Sequence, residues 1–358
     1  MGKLSIYRRA DGRYEGRIYL VSTNGKRIYR SFYGASAEEV RWKYERTTIP
    51  REEPKVQMTV KELFPEWFGI LSSRIKESTA ANYRMKSEKH IIPYFGDYCI
   101  SKIESRDIYA FISEKLKSGL SSRYVTDIIV LFKSAMKYAA KEYSVKNVFD
   151  GISLPKPKKS EVRLLNGAEQ KILKEHIHQN PSLTELGIAV SLYMGLRIGE
   201  LCALKWENID LQKRTLTVRN TIQRISNTDG NSKTKLVITE PKSENSRRTI
   251  PIPACIMGML KMFESSDENY VLSDRTAPIE PRTMQYRFTR ILKDLGLPAV
   301  HFHSLRHSFS CAAIEAGFDV KTLSEILGHS STELTLKLYV HSSLERKRAC
   351  MELLKWSA

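Results

Sequence analysis

The sequence has few of the features that mark secreted, membrane-bound or metal-dependent proteins. Only five of its 358 residues are cysteines and none forms a CxxC pair, which argues against a disulfide framework and a zinc site. The amino terminus lacks the apolar stretch of a signal peptide, and no run approaches the ~18 apolar residues that a membrane helix needs. We therefore expect a cytoplasmic protein with no membrane partner.

Two common routes to phosphate chemistry are missing as well. No cluster of carboxylates resembles a two-metal nuclease site, and the phosphate-binding pattern GxxxxGKS or GxxxxGKT is absent. The sequence therefore predicts neither a metal ion nor ATP, and no other cofactor.

The chain has a large excess of positive charge instead. Lysine and arginine number 58 against 40 aspartates and glutamates, which gives a net charge of +18. Such an excess predicts a polyanionic partner, with nucleic acid first and an anionic membrane second. A ribosome-associated or merely basic protein would show the same excess, so charge alone does not decide between these classes.

Residues 301–341 hold a dense set of groups suited to phosphate chemistry. His303 and Arg306 belong to an HxxRH cluster, His329 follows an apolar helix, and Tyr339 lies ten residues later. On a helix that begins at His303, Arg306 lies one turn on and on the same face. Tyrosine is a known covalent nucleophile that needs cationic neighbours, because it is weak at its free pKa. Each of these residues taken alone is more often a packing or surface residue, so only their combination indicates phosphate chemistry.

Further cations lie upstream of this segment. Arg197 begins an amphipathic helix, and residues 237–252 contain two strand-like runs around a polar turn that holds Lys242. In this order and spacing the chain resembles the tyrosine recombinase (phage-type integrase) family, including integrases of phages and conjugative transposons. The matching set is Arg197, Lys242, His303, Arg306, His329 and Tyr339.

The resemblance implies that Tyr339 attacks the scissile phosphorus and leaves a 3′-phosphotyrosyl link and a free 5′-hydroxyl. Arg197 and Arg306 suit the charge that builds up on the phosphate oxygens, because guanidinium groups bind phosphate bidentately. Lys242 is the candidate general acid for the leaving oxygen.

Three further residues surround this set. By the same resemblance His303 would assist proton transfer and His329 would bind the phosphate. Glu200, one turn after Arg197, is a candidate for orienting that arginine, although a surface pair would have the same spacing. Arg248 and His307 are near-site alternatives, and His307 is expected to be structural.

The expected fold is multidomain and mainly α. Residues 1–50 would form a small three-stranded sheet plus a helix, residues 57–152 a four-helix core-binding domain, and residues 164–358 a mixed α+β catalytic domain with a carboxyl-terminal tail helix. Charged, proline-containing linkers separate them. The catalytic part is expected to contain one small antiparallel sheet among its helices, with one helix near residues 332–339 ahead of the tail at residues 343–356.

Two hairpin-turn signals predict the sheet of the first domain. Asp11-Gly12 and Asn24-Gly25 each separate two runs in which polar and apolar residues alternate, as in β-strands. One face of the second strand would carry Arg and Tyr side chains, and the other would pack. This domain resembles the arm-binding domain of many integrases, and β-sheets of this kind can read a DNA groove. A solvated basic face is the alternative, and the sequence does not decide which face binds. The DNA-binding candidates, with the second linker included, are Arg8, Arg13, Arg17, Tyr19, Lys26, Arg30, Lys156, Lys158 and Lys159.

The resemblance therefore implies a site-specific recombinase that integrates and excises a mobile element. Its partners would be double-stranded DNA at attachment sites and three further copies, which together exchange strands through a Holliday junction. An excisionase and a host DNA-bending protein are candidate partners, and the DNA-bound protein would be nucleoid-associated. An Xer-like resolvase or invertase with the same chemistry, and a noncatalytic DNA-binding protein of the same fold, remain as alternatives.

Overall fold

The structure is a computed structural model. It describes residues 4–20, 28–48, 57–156, 163–227, 232–240 and 246–329, and also residues 331–333, 336, 348 and 351–352. Three groups of elements follow one another along the chain, and the mainly helical fold predicted from the sequence is confirmed. No helix within these ranges is long and apolar enough to cross a membrane.

The amino-terminal unit is a three-stranded antiparallel sheet and one helix, as predicted. Its elements are β1 (Ser5–Arg8), β2 (Tyr14–Leu20), β3 (Ile28–Gly34) and α1 (Ala37–Thr48). The helix covers one face of the sheet, because Val40 is fully buried and a Cβ on Gly16 would lie 2.5 Å from Val40 Cγ1. Side chains alternate along a strand, so Glu15 and Arg17 lie on the opposite face.

The second unit is helical and has its own apolar core, in which Phe95, Phe111 and Phe132 are fully buried. Its helices are α2 (Val60–Ser72), α3 (Glu77–Lys86), α4 (Ile92–Phe95), α5 (Ser105–Lys117) and α6 (Ser122–Tyr143). The capping box expected at the start of α2 is present, with the Thr59 hydroxyl accepting from the Glu62 amide.

The sequence also predicts a helix from Ser78 to His90 that Pro93 and Gly96 would end; Gly96 does cap the helical stretch, but Pro93 does not end it. A π-helical turn, Ser87–Ile91, follows α3, and the chain continues directly into α4 with Pro93 in its first turn.

The third unit surrounds the largest apolar cluster of the described residues. Its helices are α7 (Gly167–Gln179), α8 (Leu183–Met194), α9 (Ile198–Cys202), α10 (Ala254–Met262), α11 (Pro281–Asp294), α12 (His303–Glu315) and α13 (Val320–Leu327). Its strands are β4 (Ile209–Asp210), β5 (Thr215–Val218), β6 (Thr221–Ser226), β7 (Thr234–Thr239) and β8 (Arg248–Pro251).

The strand pairing in this unit differs from the expectation. The runs at 237–252 do not form one hairpin, because β7 pairs with β6 and β8 pairs with β5. The result is two small sheets, β4-β5-β8 and β6-β7. Strand propensity marks residues as extended but carries no information about the partner strand, so the pattern missed both β6 and the true pairing.

The second and third units meet at the β6–β7 hairpin. Lys76 Nζ donates to the carbonyl oxygen of Glu240 at 3.0 Å, and Lys235 Nζ lies 2.5 Å from Glu77 Oε1. The hairpin end that precedes Lys242 in sequence therefore lies against α3 of the helical unit.

Candidate active site

A tight turn after α8 positions the first arginine of the predicted set. Gly195 ends α8 with a φ of +69°, and a Cβ there would lie 2.5 Å from a ring carbon of Phe309 in α12. Glycine is therefore required for both the turn and the close packing of these two helices. The turn places Arg197 at the cap of α9, where its backbone amide donates to Glu200 Oε2 at 3.0 Å.

Three arginines from different parts of the chain converge on the carboxyl-terminal end of α13. Arg248 Nε donates to the carbonyl of residue 326 at 2.5 Å, Arg306 Nη2 to that of residue 327 at 2.7 Å, and Arg197 Nη2 to that of residue 328 at 3.1 Å. The last carbonyls of a helix lack partners within the helix and carry partial negative charge. This helix end therefore anchors the cationic cluster.

The same helix end positions His329. Gly328 ends α13 in the left-handed conformation, with a φ of +63°, as the sequence predicted. His329 follows immediately, and its backbone amide donates to the carbonyl of Ser324 at 3.1 Å. The imidazole is thereby attached to the segment that the three arginines bind.

Glu200 lies at the centre of the cluster and is buried. Its carboxylate accepts from Arg197 Nη1 at 2.7 Å and from Arg248 Nη1 and Nη2 at 3.1 and 2.9 Å. Burial alone would raise the pKa of Glu200, but hydrogen bonds from Arg248 and the charges of both arginines hold it below its usual range. Glu200 thus remains an anion that fixes two guanidinium groups.

The three arginines differ in accessibility. The side chain of Arg197 is 36% exposed, whereas that of Arg248 is 6% exposed and Arg306 as a residue 4%. Burial and the charge of Arg197 lower the pKa of Arg306 to about 9, so it remains a cation at neutral pH. Arg197 is the arginine most open to an incoming phosphate, and Arg248 is chiefly a link between Glu200 and α13.

The two predicted histidines are uncharged at neutral pH. His303 is exposed at the surface, but desolvation by the surrounding protein, followed by the charges of His307, Arg306 and Arg197, lowers its pKa to about 4. Burial and the nearby arginines lower the pKa of His329 to about 4 as well. The rings of His303 and His307 meet edge to face with centroids 4.9 Å apart. A neutral imidazole can accept a proton, which is what assistance to an attacking hydroxyl requires.

The described residues thus bring Arg197, Arg306, His303 and His329 together, while Lys242 and Tyr339 lie outside the described residues. Glu200 contacts Arg197 as the sequence analysis predicted, but in a buried pair and not at the surface, whereas Arg248 was predicted only as a near-site alternative. The alternation of side chains along β8 could have indicated that Arg248 is buried, because Arg248 lies on the same side of the strand as the buried Ile250.

The DNA-binding candidates of the amino-terminal unit divide between the two faces of its sheet. Arg13 directly precedes β2, and Arg17 lies in β2 on the same face of the sheet as Glu15, opposite α1. Arg8 and Arg30 lie on the face with α1, where they stack on Tyr14 and Phe32. Three candidates, Lys26, Lys158 and Lys159, fall outside the described residues, Lys156 is exposed, and of Tyr19 the structure describes only its place in β2.

Replacing Glu200 with glutamine is expected to destabilise the protein by about 3–5 kcal/mol, because two buried or half-buried arginines lose their shared counter-charge. The free energy of unfolding in urea would measure this cost. Glu264→Gln, at an exposed glutamate of the same unit, is the matched control and should change stability little. A similar small effect of both substitutions would contradict the central part assigned to Glu200.

The histidine pKa values predict how stability depends on pH. His303 and His329 titrate near 4 when folded, against an ordinary value of 6.5. Between these values the unfolded chain binds more protons, so the free energy of unfolding should fall as the pH is lowered from 7 towards 5. The double substitution of both residues by glutamine should flatten this slope, whereas His178→Gln, at an exposed histidine, should not. An unchanged slope in the double variant would contradict the pKa assignment.

Comparisons with known proteins agree with this fold. The pattern of the Phage integrase family matches residues 158–346, and that of the phage integrase N-terminal SAM-like domain matches residues 59–116. A "Tyrosine recombinase XerC-like" protein of Caldanaerobacter subterraneus subsp. tengcongensis is 29% identical and the alignment covers 92% of each chain. The ICEBs1 integrase of Bacillus subtilis is 25% identical over 81% of this chain and 82% of its own length.

Solved structures show the same fold. The Tn1549 transposon integrase, bound to a circular intermediate DNA, superposes with a TM-score of 0.70 at 21% identity and covers 83% of this chain and 100% of its own. A lambda integrase dimer bound to a core site gives a TM-score of 0.61 at 20% identity over 99% and 96% of the two chains.

The family match and these relatives define the class of protein as a tyrosine recombinase, an enzyme that cuts and rejoins DNA at specific sites. The chain belongs to the Phage integrase family.

Proposed function

We propose that this protein is the integrase of a mobile element and that it cuts DNA through Tyr339. The observation that carries the proposal is the convergence of Arg197 and Arg306 on one helix end, beside two neutral histidines. Charge accumulates on the phosphate oxygens during phosphoryl transfer, so positioned cations provide most of the catalysis.

In the proposed reaction the oxygen of Tyr339 bonds to the scissile phosphorus as the bond to the 5′ oxygen breaks. His303 takes the tyrosine proton, and Lys242 gives a proton to the leaving 5′ oxygen. The 3′-phosphotyrosyl link keeps the energy of the broken bond, so a 5′-hydroxyl of another strand can reverse the reaction without ATP. Arg197 and Arg306 hold the phosphate oxygens, and His329 donates a further hydrogen bond.

Each of the three units would have a separate function in DNA binding or catalysis. Residues 1–50 would bind arm-type DNA sites, residues 57–152 the core site beside the cleavage point, and residues 164–358 would carry out the chemistry, with a tail helix at the end. The linker lysines 156, 158 and 159 would contact phosphates where the chain crosses the duplex.

The assembly would be four protomers on two duplexes joined by a Holliday junction. A solved structure of similar fold supports this assembly, since it is a lambda integrase tetramer bound to a Holliday junction. An excisionase and a host DNA-bending protein would set the direction of the reaction, and the DNA-bound protein would associate with the nucleoid.

An Xer-like resolvase is a second candidate, favoured by the name of the relative that is 29% identical over 92% of this chain. The chemistry would be the same and the substrates would differ. A resolvase should recombine two directly repeated sites on one plasmid, whereas an integrase should join two different attachment sites. Quantitative PCR of both products distinguishes them.

The reaction is tested by covalent trapping. The intact protein is incubated in EDTA with nicked duplexes that carry the end sequences of the element in which the gene lies. We expect an SDS-resistant, protease-sensitive adduct, and mass spectrometry of its peptides should place the nucleotide on Tyr339. Tight binding to these duplexes without any adduct would contradict the proposal and favour a noncatalytic DNA-binding protein.

A further inference from the structure

The sheet of the amino-terminal unit carries an ordered polar row on the face away from α1. The strand register places Tyr7, Glu15 and Tyr33 side by side across β1, β2 and β3. The two tyrosines are 40% and 46% exposed, whereas the Glu15 side chain between them is only 2% exposed. A buried carboxylate thus lies at the centre of an otherwise accessible face.

Glu15 is enclosed by the groups that it binds. Its carboxylate accepts from Arg17 Nε at 2.7 Å, from Arg9 Nη1 at 3.1 Å and from the Tyr33 hydroxyl at 3.3 Å. The Tyr7 hydroxyl donates to it as well. Hydrogen bonding from Arg17 outweighs burial and lowers the pKa of Glu15 to about 2, so the carboxylate is ionised under all ordinary conditions.

Each arginine is held a second time by an aromatic ring. The guanidinium carbon of Arg17 lies 5.2 Å from the Tyr7 ring centroid, and that of Arg9 lies 5.6 Å from the Tyr33 ring centroid. Their side chains are nevertheless 51% and 40% exposed. Two guanidinium forks therefore stand in fixed orientations on either side of Glu15, with donors left over because each fork has five N–H groups.

This arrangement does not suit a surface that binds phosphates alone. The negative charge of Glu15 weakens the attraction of this face for a polyanion, and lysines without a carboxylate partner would bind phosphates better. A fixed guanidinium is useful where geometry matters, as in bidentate donation to O6 and N7 of guanine in the major groove. A β-sheet face can enter that groove, and residues 1–34 carry eight lysines and arginines against two carboxylates.

We propose that Glu15 is a positioning residue for DNA specificity, which holds Arg9 and Arg17 so that they contact guanine edges in the major groove of duplex DNA. The proposal rests on the arm-binding role given above to residues 1–50. It also identifies the binding face as the one opposite α1, a choice that the sequence leaves open.

The proposal predicts opposite effects on two affinities when the charge of Glu15 is removed. In Glu15→Gln the forks lose their anchor, so affinity for the preferred sequence should fall about tenfold or more, the range expected when bidentate base contacts are lost. Affinity for unrelated duplex DNA should stay the same or increase, because one negative charge has left the binding face. A residue that only stabilised the fold would weaken both.

The experiment uses the full chain with Tyr339→Phe, so that DNA is bound and not cut. A pool of random-sequence duplexes is selected on this protein and on a version that also carries Arg9→Ala and Arg17→Ala. Motifs that only the first protein selects belong to the amino-terminal unit. The dissociation constants for such a motif and for its scrambled sequence are then measured with Glu15→Gln. The matched control is Glu38→Gln, which removes the same charge from an exposed position on α1.

Two further variants separate charge from geometry. Arg9→Lys and Arg17→Lys keep the positive charge but cannot form the fork, so each should lose preference at guanine positions and keep its affinity for scrambled DNA.

The outcomes are distinct. A motif that depends on Arg9 and Arg17 but survives Glu15→Gln would overturn the role of Glu15 and leave arm binding intact. Equal weakening of both affinities would assign Glu15 a purely structural role and also overturn the proposal. If the double alanine variant selects the same motifs, this face does not read DNA and the inference fails, whereas arm binding through the face that carries Arg8 and Arg30 is not tested by this variant.

Discussion

Tyr339→Phe is expected to abolish covalent attachment to nicked DNA, a fall of at least about 10⁴-fold, while DNA binding stays within a few-fold of the intact protein. The substitution removes one oxygen, the atom that would bond to phosphorus, and leaves an aromatic ring of nearly the same shape. Loss of an enzyme's nucleophile generally has effects of this size or larger.

The measurement pairs SDS gel detection of the adduct with fluorescence anisotropy for binding. Tyr286→Phe is the matched control, because Tyr286 is 69% exposed on the surface of the same unit, and it should form adduct at the normal rate. An adduct that persists in Tyr339→Phe would place the nucleophile elsewhere and overturn the assignment of the site.

Arg306→Lys is expected to slow single-turnover cleavage by about 10²–10³-fold, the usual consequence of losing one positioned donor to a developing charge. The guanidinium of Arg306 donates to the carbonyls of Gly195 at 2.6 Å and Leu327 at 2.7 Å, so it joins the end of α8 to the end of α13. A lysine keeps the positive charge, but its single nitrogen lacks the planar fork that spans both carbonyls.

Rates are measured at saturating protein, so that altered affinity does not enter. Arg290→Lys is the control, an arginine of α11 whose side chain is 74% exposed, and it should cleave normally. Because Arg306 is buried, urea unfolding of the variant is measured alongside. A normal rate in a stable Arg306→Lys variant would show that charge alone is sufficient and that the fork geometry is not used.

The candidate catalytic set could be proposed from the sequence because its residues have distinctive types in a distinctive order. The HxxR spacing corresponds to one turn of α12, and the glycine before His329 is a helix-ending signal that holds whatever the surroundings. The capping boxes at Thr59 and Asn166 likewise depend on contacts three residues apart. Features of this kind are local, so the sequence alone determines them.

Other features depend on contacts between distant residues. The pairing of β7 with β6 was missed because alternation identifies a strand and not its partner. The helix predicted to end at Pro93 continues through a π-helical turn into α4, and residue propensities do not indicate this rare conformation. The sharing of Glu200 by Arg197 and Arg248 joins positions 48 residues apart in sequence, and no local pattern contains that information.

The sequence by itself therefore determined the class of chemistry, the order of the candidate residues and most of the helices. Only the tertiary structure decided that three arginines meet at the end of α13, that the buried Glu200 pairs with two of them, and that Glu15 lies beneath the exposed face of the first sheet. The physical reason is that residue type and short-range spacing specify helices, helix caps and the reactions that the side chains can take part in. Burial and charge pairing arise only when separate segments pack together and exclude water from between them.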